Sequence, residues 1–207
     1  MLSILEAAGW PIWLLIACSI LGLALVLERF VSLRANKISP AGLLEEAMLA
    51  SRLGPPSPEV LRQFEDNSLL GELLASGWRA QQRNPGAGDA ELRSALEAAG
   101  RVAAARLHKH LTALGTIASA APLLGLLGTV VGMIEIFGSQ GVAPGVGNPA
   151  QLAHGISIAL YNTAFGLVVA IPALAFWRHF RARADEQLLQ LEIAAERFAH
   201  HLAAARR

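Results

Sequence analysis

Residues 111–134 have the sequence LTALGTIASAAPLLGLLGTVVGMI, a run of 24 residues without a charged side chain. A helix that crosses a bilayer needs about 20 predominantly apolar residues, so this run predicts one span. Two further uncharged runs, 7–27 and 136–177, lie on either side of it. The second begins with GSQGVAPGVGNPAQ at 138–151, which is rich in Gly and Pro and predicts a loop, leaving one span in 153–177. The sequence therefore predicts an all-α integral membrane protein with three transmembrane helices.

The overall composition agrees with a membrane protein and excludes several other classes. Apolar residues make up 54% of the 207-residue chain and charged residues only 16%, which excludes a soluble globular enzyme. A formal net charge of +1 provides no basic surface for a nucleic acid. Cys18 is the single cysteine, and C-x-x-C spacing is absent. We therefore expect no enzyme activity, no nucleic-acid partner, no metal site and no cofactor.

Charge placement predicts the orientation in the membrane. All 17 Lys and Arg residues lie between the first and second spans or after the third, and residues 1–10 and 138–151 contain none. By the positive-inside rule, the N-terminus is predicted to be periplasmic and the C-terminus cytoplasmic. The predicted segments are the N-terminal end with span one (1–34), a cytoplasmic helical region (35–110), span two (111–137), a periplasmic loop (138–151), span three (152–178) and a cytoplasmic C-terminal helix (179–207).

The cytoplasmic segments contain clear helix signals. Ser39-Pro40 and Ser57-Pro58 each place an N-cap residue before a proline at the first helical position. Gly54-Pro55-Pro56 predicts a break between two helices. Asp89 is predicted as the N-cap of a helix that continues through His110 into span two without a break, and 177–207 contains neither Gly nor Pro. We therefore expect spans two and three to extend into a cytoplasmic helical stalk.

Ionisable residues are absent from the middles of the predicted spans, although such residues usually mark ion paths. Glu28 and Arg29 lie at the inner end of span one, and Glu135 lies at the outer end of span two. Each is consistent with an interfacial anchor or with a role in ion entry. A proton path through this chain would therefore need a carboxylate from a partner.

Small residues recur at helical spacing in spans two and three. Such faces allow transmembrane helices to approach closely, but they are equally consistent with the wall of a narrow pore. Thr129 and Thr163 are the hydroxyl-bearing residues beside these faces, and a Thr hydroxyl both donates and accepts hydrogen bonds. The candidate pore-lining residues are Thr129, Thr163, Asn162, Gly125, Gly132, Ala159, Gly166 and Ala170.

Three motifs carry a resemblance to a known family. PLLGLLGTVVGM at 122–133 resembles the span-two motif of the ExbB/TolQ/MotA proton-channel family, closest to the ExbB/TolQ branch. NTAFGLVVAIPA at 162–173 resembles the span-three motif, and ERFVSLR at 28–34 resembles the end of its first span. The order of the three spans, the long cytoplasmic region and the C-terminal helix also resemble this family.

The resemblance implies a homopentamer in the bacterial inner membrane that surrounds two copies of a single-span ExbD/TolR-type subunit. The partner subunit's essential Asp would bind the proton, and Thr129 and Thr163 would lie beside it. Such a complex couples the proton motive force to mechanical work on the cell envelope through a TonB-like or TolA-like protein. The envelope process would be set by these partners.

One departure from the family pattern keeps alternatives open. Many ExbB-like proteins have a Glu one turn before the span-three threonine, where this chain has Ile158, so Asn162 or Tyr161 would have to supply polarity. The alternatives are a flagellar-type stator subunit and a membrane scaffold that conducts nothing. Flagellar-type stators have four spans and a charged cytoplasmic face, which this sequence does not predict.

Overall fold

The computed structural model describes residues 9–52, 54–84, 88–140 and 149–204, and these ranges contain helices and no strand. Predictions for residues 1–8, 141–148 and 205–207, which include most of the predicted periplasmic loop, lie outside the described residues. In chain order the helices are α1 (Pro11–Ser32), α2 (Ala35–Ile38), α3 (Leu43–Arg52), α4 (Pro58–Asn67), α5 (Leu69–Arg83), α6 (Asp89–His108), α7 (Leu111–Gln140) and α8 (Pro149–Ala204). The predicted all-α class is confirmed.

Three helical stretches are long and apolar enough to cross a membrane. They are α1, the stretch Asp89–Gly138 that contains all but the last two residues of α7, and the stretch Gly155–Ala204 of α8. The 22 residues of α1 correspond to roughly 33 Å of helix, close to the thickness of the hydrocarbon core. The prediction of three spans is therefore confirmed by length and composition.

The chain divides into two compact units. The apolar unit comprises Met1–Glu28 and His110–His179, and the polar unit comprises Arg29–Lys109 and Phe180–Arg207.

The core of the apolar unit joins α1, α7 and α8. Leu15, Ala121 and Ala170 are buried against one another, and the partly buried side chains of Leu124, Phe165 and Val169 pack around them. A second contact between α1 and α7 lies further along, where a Cβ on Gly22 would be 3.7 Å from Ile117 Cγ2. Thus α1 packs along one side of the α7–α8 pair.

The core of the polar unit is built around Trp78 on α5. Its ring meets Phe64 and Phe198 edge-to-face, with centroids 5.1 and 5.3 Å away. Ion pairs between helices lie at the surface of this unit, including Arg93–Glu196 and Arg106–Glu72. Because these pairs are exposed, the buried aromatic and leucine side chains contribute most of the stability of the unit.

The predicted helix starts have mixed outcomes. Ser57 caps α4, with its hydroxyl accepting a hydrogen bond from Val60 N, so this prediction is confirmed. The start predicted at Pro40 is wrong, because the chain turns through Gly42 at φ 83° before α3 begins. Asp89 is the first residue of α6 rather than its cap, which is Gly88.

The prediction of an unbroken helix from Asp89 into span two is wrong. α6 ends at His108, Lys109 is non-helical at ψ 137°, and His110 has φ 65° before α7 begins. His is one of the few residues other than Gly that enters this left-handed region with any frequency. The extension of span three is confirmed, because α8 is continuous from Pro149 to Ala204 although Pro172 lies within it.

Candidate functional site

Two glycines mark the closest approach of α7 and α8. A Cβ on Gly125 would be 2.8 Å from the carbonyl oxygen of Asn162 and 3.1 Å from Thr163 Cα. A Cβ on Gly166 would be 2.7 Å from the carbonyl oxygen of Ala121. Since the obstructing atoms belong to the backbone, no rotamer change could relieve the overlap. The two helices therefore touch backbone to backbone at this point.

Asn162 occupies the next position along the same contact. Its side chain is 1% exposed, and a Cβ on Gly128 would lie 2.7 Å from both its Cβ and Cγ. Gly132 lies about two turns before the end of α7. A Cβ on Gly132 would be 3.4 Å from Ala159 Cβ, an ordinary contact. Gly128 thus makes room for the side-chain amide of Asn162. This role could not be predicted, because a glycine in one span does not indicate which residue of another span it faces.

Six of the predicted pore-lining residues pack against other helices of the same chain. They are Gly125, Gly132, Ala159, Asn162, Gly166 and, in the core with α1, Ala170. Helix packing, one of the two explanations for the small-residue faces, therefore describes these positions in the structure. A pore-lining role for them stays a prediction.

Thr129 and Thr163 lie together on the side of the α7–α8 pair that faces away from α1. Successive residues of an α-helix are turned by about 100° around the helix axis. Leu124 directly precedes Gly125, and Phe165 directly precedes Gly166, so both point about 100° to one side of the α7–α8 contact. On that side they pack towards α1. Thr129 follows Gly125 by four residues, which turns it by about 40° from the contact, and Thr163 precedes Gly166 by three, which turns it by about 60°. Both rotations are away from the α1 side.

The two threonines also share one depth in the apolar unit. Each directly follows a member of the Gly128–Asn162 contact, and both are partly exposed. The Thr129 hydroxyl donates to the carbonyl oxygen of Leu126 at 2.7 Å. Its proton is therefore engaged, and its lone pairs are available to accept a hydrogen bond from outside the chain.

Apolar side chains surround the two hydroxyls. Leu126 is 56% exposed, Leu160 is 60% exposed and Leu167 is 44% exposed. We define the threonine face as Thr129, Leu126 and Met133 of α7 together with Thr163, Leu160 and Leu167 of α8. None of these six residues is ionisable. The face can orient water or accept a hydrogen bond, but it cannot carry a proton on its own side chains.

The remaining predicted polar residues lie elsewhere. Glu135 follows Leu124 by eleven residues, about three turns, so it lies exposed on the side of α7 that faces α1. Tyr161 is exposed on α8 away from the contact with α7. Ile158 lies in α8, and its side chain is outside the described part of the structure.

Glu28 and Arg29 each have a partner within their own unit. In the apolar unit, Glu28 Oε2 lies 3.3 Å from His110 Nδ1. In the polar unit, Arg29 is 2% exposed and donates to the carbonyl oxygen of Leu107 at 3.2 Å. Leu107 belongs to the last turn of α6, where carbonyls lack helical partners and a cation is favoured. The sequence carried no signal for this capping role, because the partner is 78 residues away.

Metal binding finds no support in the described ranges. There, no group of three or more His, Cys, Asp or Glu side chains is placed to hold a metal ion.

The structure and the threonine face define a class of protein: an all-α membrane protein that contributes hydroxyls, and no ionisable group, to an exposed apolar face. Comparison with known proteins identifies the family. The sequence profile of the MotA/TolQ/ExbB proton channel family matches residues 65–193, more than half of the chain. The chain therefore belongs to the MotA/TolQ/ExbB proton channel family, and the recognition from the three motifs is confirmed.

Full-length relatives agree with this assignment. The biopolymer transport protein exbB1 of Vibrio cholerae is 31% identical over 193 residues, which cover 90% of this chain and 82% of that protein. The putative biopolymer transport protein ExbB-like 3 of Synechocystis is 32% identical over 197 residues, covering 89% and 90%. The biopolymer transport protein ExbB of Aquifex aeolicus is 40% identical over 86 residues, covering 42% and 57%. The chain is thus similar to ExbB-type proteins along most of its length.

Proposed function

We propose that this chain is the ring-forming subunit of a proton-driven motor in the bacterial inner membrane. Five copies would surround two copies of an ExbD/TolR-type single-span subunit, whose essential Asp accepts the proton. The threonine face is the observation that carries this proposal. It presents two hydroxyls at one depth on an apolar surface, on the side of α7 and α8 that α1 leaves open.

In this arrangement each part of the apolar unit has a distinct task. The threonine faces of five copies would line the centre of the ring, while α1 would face lipid. The Thr129 and Thr163 oxygens would accept hydrogen bonds from water or from the protonated carboxyl group of the partner subunit's Asp. Since a Thr hydroxyl does not ionise at neutral pH, the proton would travel on that Asp and not on this chain.

The mechanical output would pass to other proteins. Protonation and release at the partner subunit's Asp would turn the ring about its core, and a TonB-like or TolA-like protein would transmit the work to the envelope. The one-sided distribution of Lys and Arg supports a periplasmic N-terminus and a cytoplasmic C-terminus for this chain.

Assembly is tested first, by native mass spectrometry of the detergent-extracted chain. We expect a homopentamer even without the partner, because the resemblance to ExbB-type proteins implies a ring of five copies. A spectrum dominated by monomers or tetramers would contradict the proposed ring.

Conduction is tested in liposomes that carry a pH gradient. The chain alone should be as proton-tight as protein-free vesicles, and adding the Asp-bearing partner should open the path. Thr163→Val should remain pentameric and lose most of the flux, and Thr129→Val should have a similar or milder effect. An interhelical hydrogen bond in a membrane contributes only about 0.6–2 kcal/mol, so neither change should dissolve the ring.

The matched controls are Thr163→Ser and Thr129→Ser, which keep the hydroxyl and should retain flux. Wild-type flux in both Thr→Val variants would assign the threonines to packing and favour the non-conducting scaffold. Flux through the chain without any partner would contradict the requirement for an external carboxylate.

A further inference from the structure

The surface of α7 changes character along its length. Among residues 111–120 the exposed positions are Thr112, Ala113, Thr116 and Ser119. From residue 121 onwards every exposed residue up to Ile134 is large and apolar, namely Leu123, Leu126, Leu127, Val130 and Ile134. The first ten residues therefore expose hydroxyls and no large apolar side chain.

The exposed surface of α1 can be compared with that of α7, because α1 presents the apolar side chains that suit contact with lipid. Its exposed residues from Trp13 to Leu27 are all apolar. The contact of Gly22 with Ile117 places this part of α1 at the same depth as the hydroxyl-bearing part of α7. At that depth α1 exposes Ile20 at 64%, Leu21 at 58% and Leu23 at 62%. At this depth α7 thus exposes hydroxyls where α1 exposes large apolar side chains, so the two helices present different chemistry to their surroundings.

Two of these hydroxyl residues lie in line with the threonine face. Ser119 precedes Leu126 by seven residues and Thr112 precedes it by fourteen, so all three lie within about 40° of one direction. Thr116 lies between them in depth but about 80° round the helix from Leu126, on the strip that also carries Leu123 and Leu127. Thr112 and Ser119 thus continue the Leu126 edge of the threonine face, and Thr116 widens the hydroxyl-bearing surface, towards the start of α7, which the charge distribution predicts to be cytoplasmic.

The hydroxyls of Thr116 and Ser119 donate within their own helix and keep acceptor capacity. Thr116 donates to the carbonyl oxygen of Thr112 at 2.9 Å, and Ser119 donates to that of Gly115 at 3.0 Å. Each oxygen keeps lone pairs that water can use. These acceptors lie between the depth of Thr129 and the start of the helix.

We propose that Thr112, Thr116 and Ser119 line a water-filled path that connects the depth of the threonine pair with the cytoplasmic surface. This inference rests on the proposed function, in which a proton leaves the partner subunit's Asp at that depth. The distance from Thr129 to Ser119 is ten residues, or roughly 15 Å along the helix, which bound water must bridge. The proton moves through the water chain, and the hydroxyls accept hydrogen bonds from it without being ionised.

The hydration is tested by thiol labelling of the assembled complex in membranes, with no need for conduction. Cys18 is the only native cysteine, so a Cys18→Ala background permits single cysteines. Thr116→Cys and Ser119→Cys should react severalfold faster with a membrane-impermeant sulfonated thiol reagent than Ile20→Cys and Leu23→Cys at the same depth. Leu127→Cys is the control deeper on α7. Slow labelling at 116 and 119, equal to that at 20 and 23, would overturn the proposal.

The use of the path by protons is tested in the liposome assay with the partner present. Thr116→Val with Ser119→Ala should lower flux severalfold while the pentamer persists, and Thr116→Ser should retain flux. Unchanged flux in the double variant would overturn the assignment as a proton path. A wild-type complex that conducts no protons would instead refute the proposed function, and the labelling result would still decide whether the α7 surface is hydrated.

Discussion

Replacing Gly125 by alanine adds a single methyl group at the point where α7 and α8 touch. The new Cβ would lie 2.8 Å from the Asn162 carbonyl oxygen, 3.1 Å from Thr163 Cα and 3.3 Å from Gly166 Cα. All three atoms belong to the α8 backbone, so the helices must separate to relieve the overlap. Because Thr163 is one of the displaced residues, the separation would also disturb the threonine face.

The net effect follows from two opposing contributions. Alanine gains at most about 1 kcal/mol over glycine inside a helix. Overpacking in a well-packed contact costs roughly 1–3 kcal/mol, and the rigid backbone of α8 favours the upper part of that range. We therefore expect Gly125→Ala to lower the free energy of unfolding by about 1–2 kcal/mol.

Gly132→Ala is the matched control, because it lies two turns along the same face of α7. Its new Cβ would meet Ala159 Cβ at 3.4 Å, an ordinary contact, so its effect should lie between neutral and about 1 kcal/mol stabilising. Unfolding of both variants is measured by titrating the detergent-solubilised protein with SDS and following helicity. Equal stability of the two variants would refute the backbone contact at Gly125.

Two further predictions concern other packing sites. Arg29→Leu removes a buried charged hydrogen bond to the carbonyl oxygen of Leu107 and should lower the free energy of unfolding by about 1.5–3 kcal/mol. The control is Arg34→Leu at an exposed position, which should change it by less than about 0.5 kcal/mol. Chemical unfolding of both variants distinguishes these outcomes. Gly128→Ala should be destabilising because of Asn162, and Asn162→Gly in the same chain should recover part of the loss, with a coupling energy of about 1–2 kcal/mol in a double-mutant cycle. Additive effects would show that Gly128 and Asn162 do not meet.

The sequence predicted the spans well because the bilayer imposes a simple requirement, about 20 apolar residues without charge, that is visible in a single chain. Local signals such as the Ser57 cap were also sufficient, because their hydrogen bonds close within a few residues. The break at Lys109 and His110 was missed because no Gly or Pro marks it and His110 adopts a left-handed conformation.

The arrangement of the site depended on information that one sequence does not contain. Both small-residue faces were visible, but the way in which they meet was not, so the burial of Asn162 against Gly128 could not be predicted. The pore-lining role of Asn162 stays a prediction. Helical spacing placed Thr129 and Thr163 beside those faces. Only the position of α1, packed against Leu124 and Phe165, shows that both threonines lie on the same open side.

In the proposed ring, the contacts of the apolar unit would explain how a chain whose spans have no carboxylate near their middles in the described residues can serve a proton-driven machine. A charged residue at the bilayer centre is costly in every copy, and a ring of five would bear that cost five times. Glycine contacts between α7 and α8 instead fix the positions of two neutral hydroxyls, and desolvation of the Thr129 hydroxyl is inexpensive because it already donates to its own helix. The chain would then act as a rigid wall that carries neutral hydroxyls, and the ionisable group would belong to the partner at the core, where a single protonation changes the interaction with the whole ring.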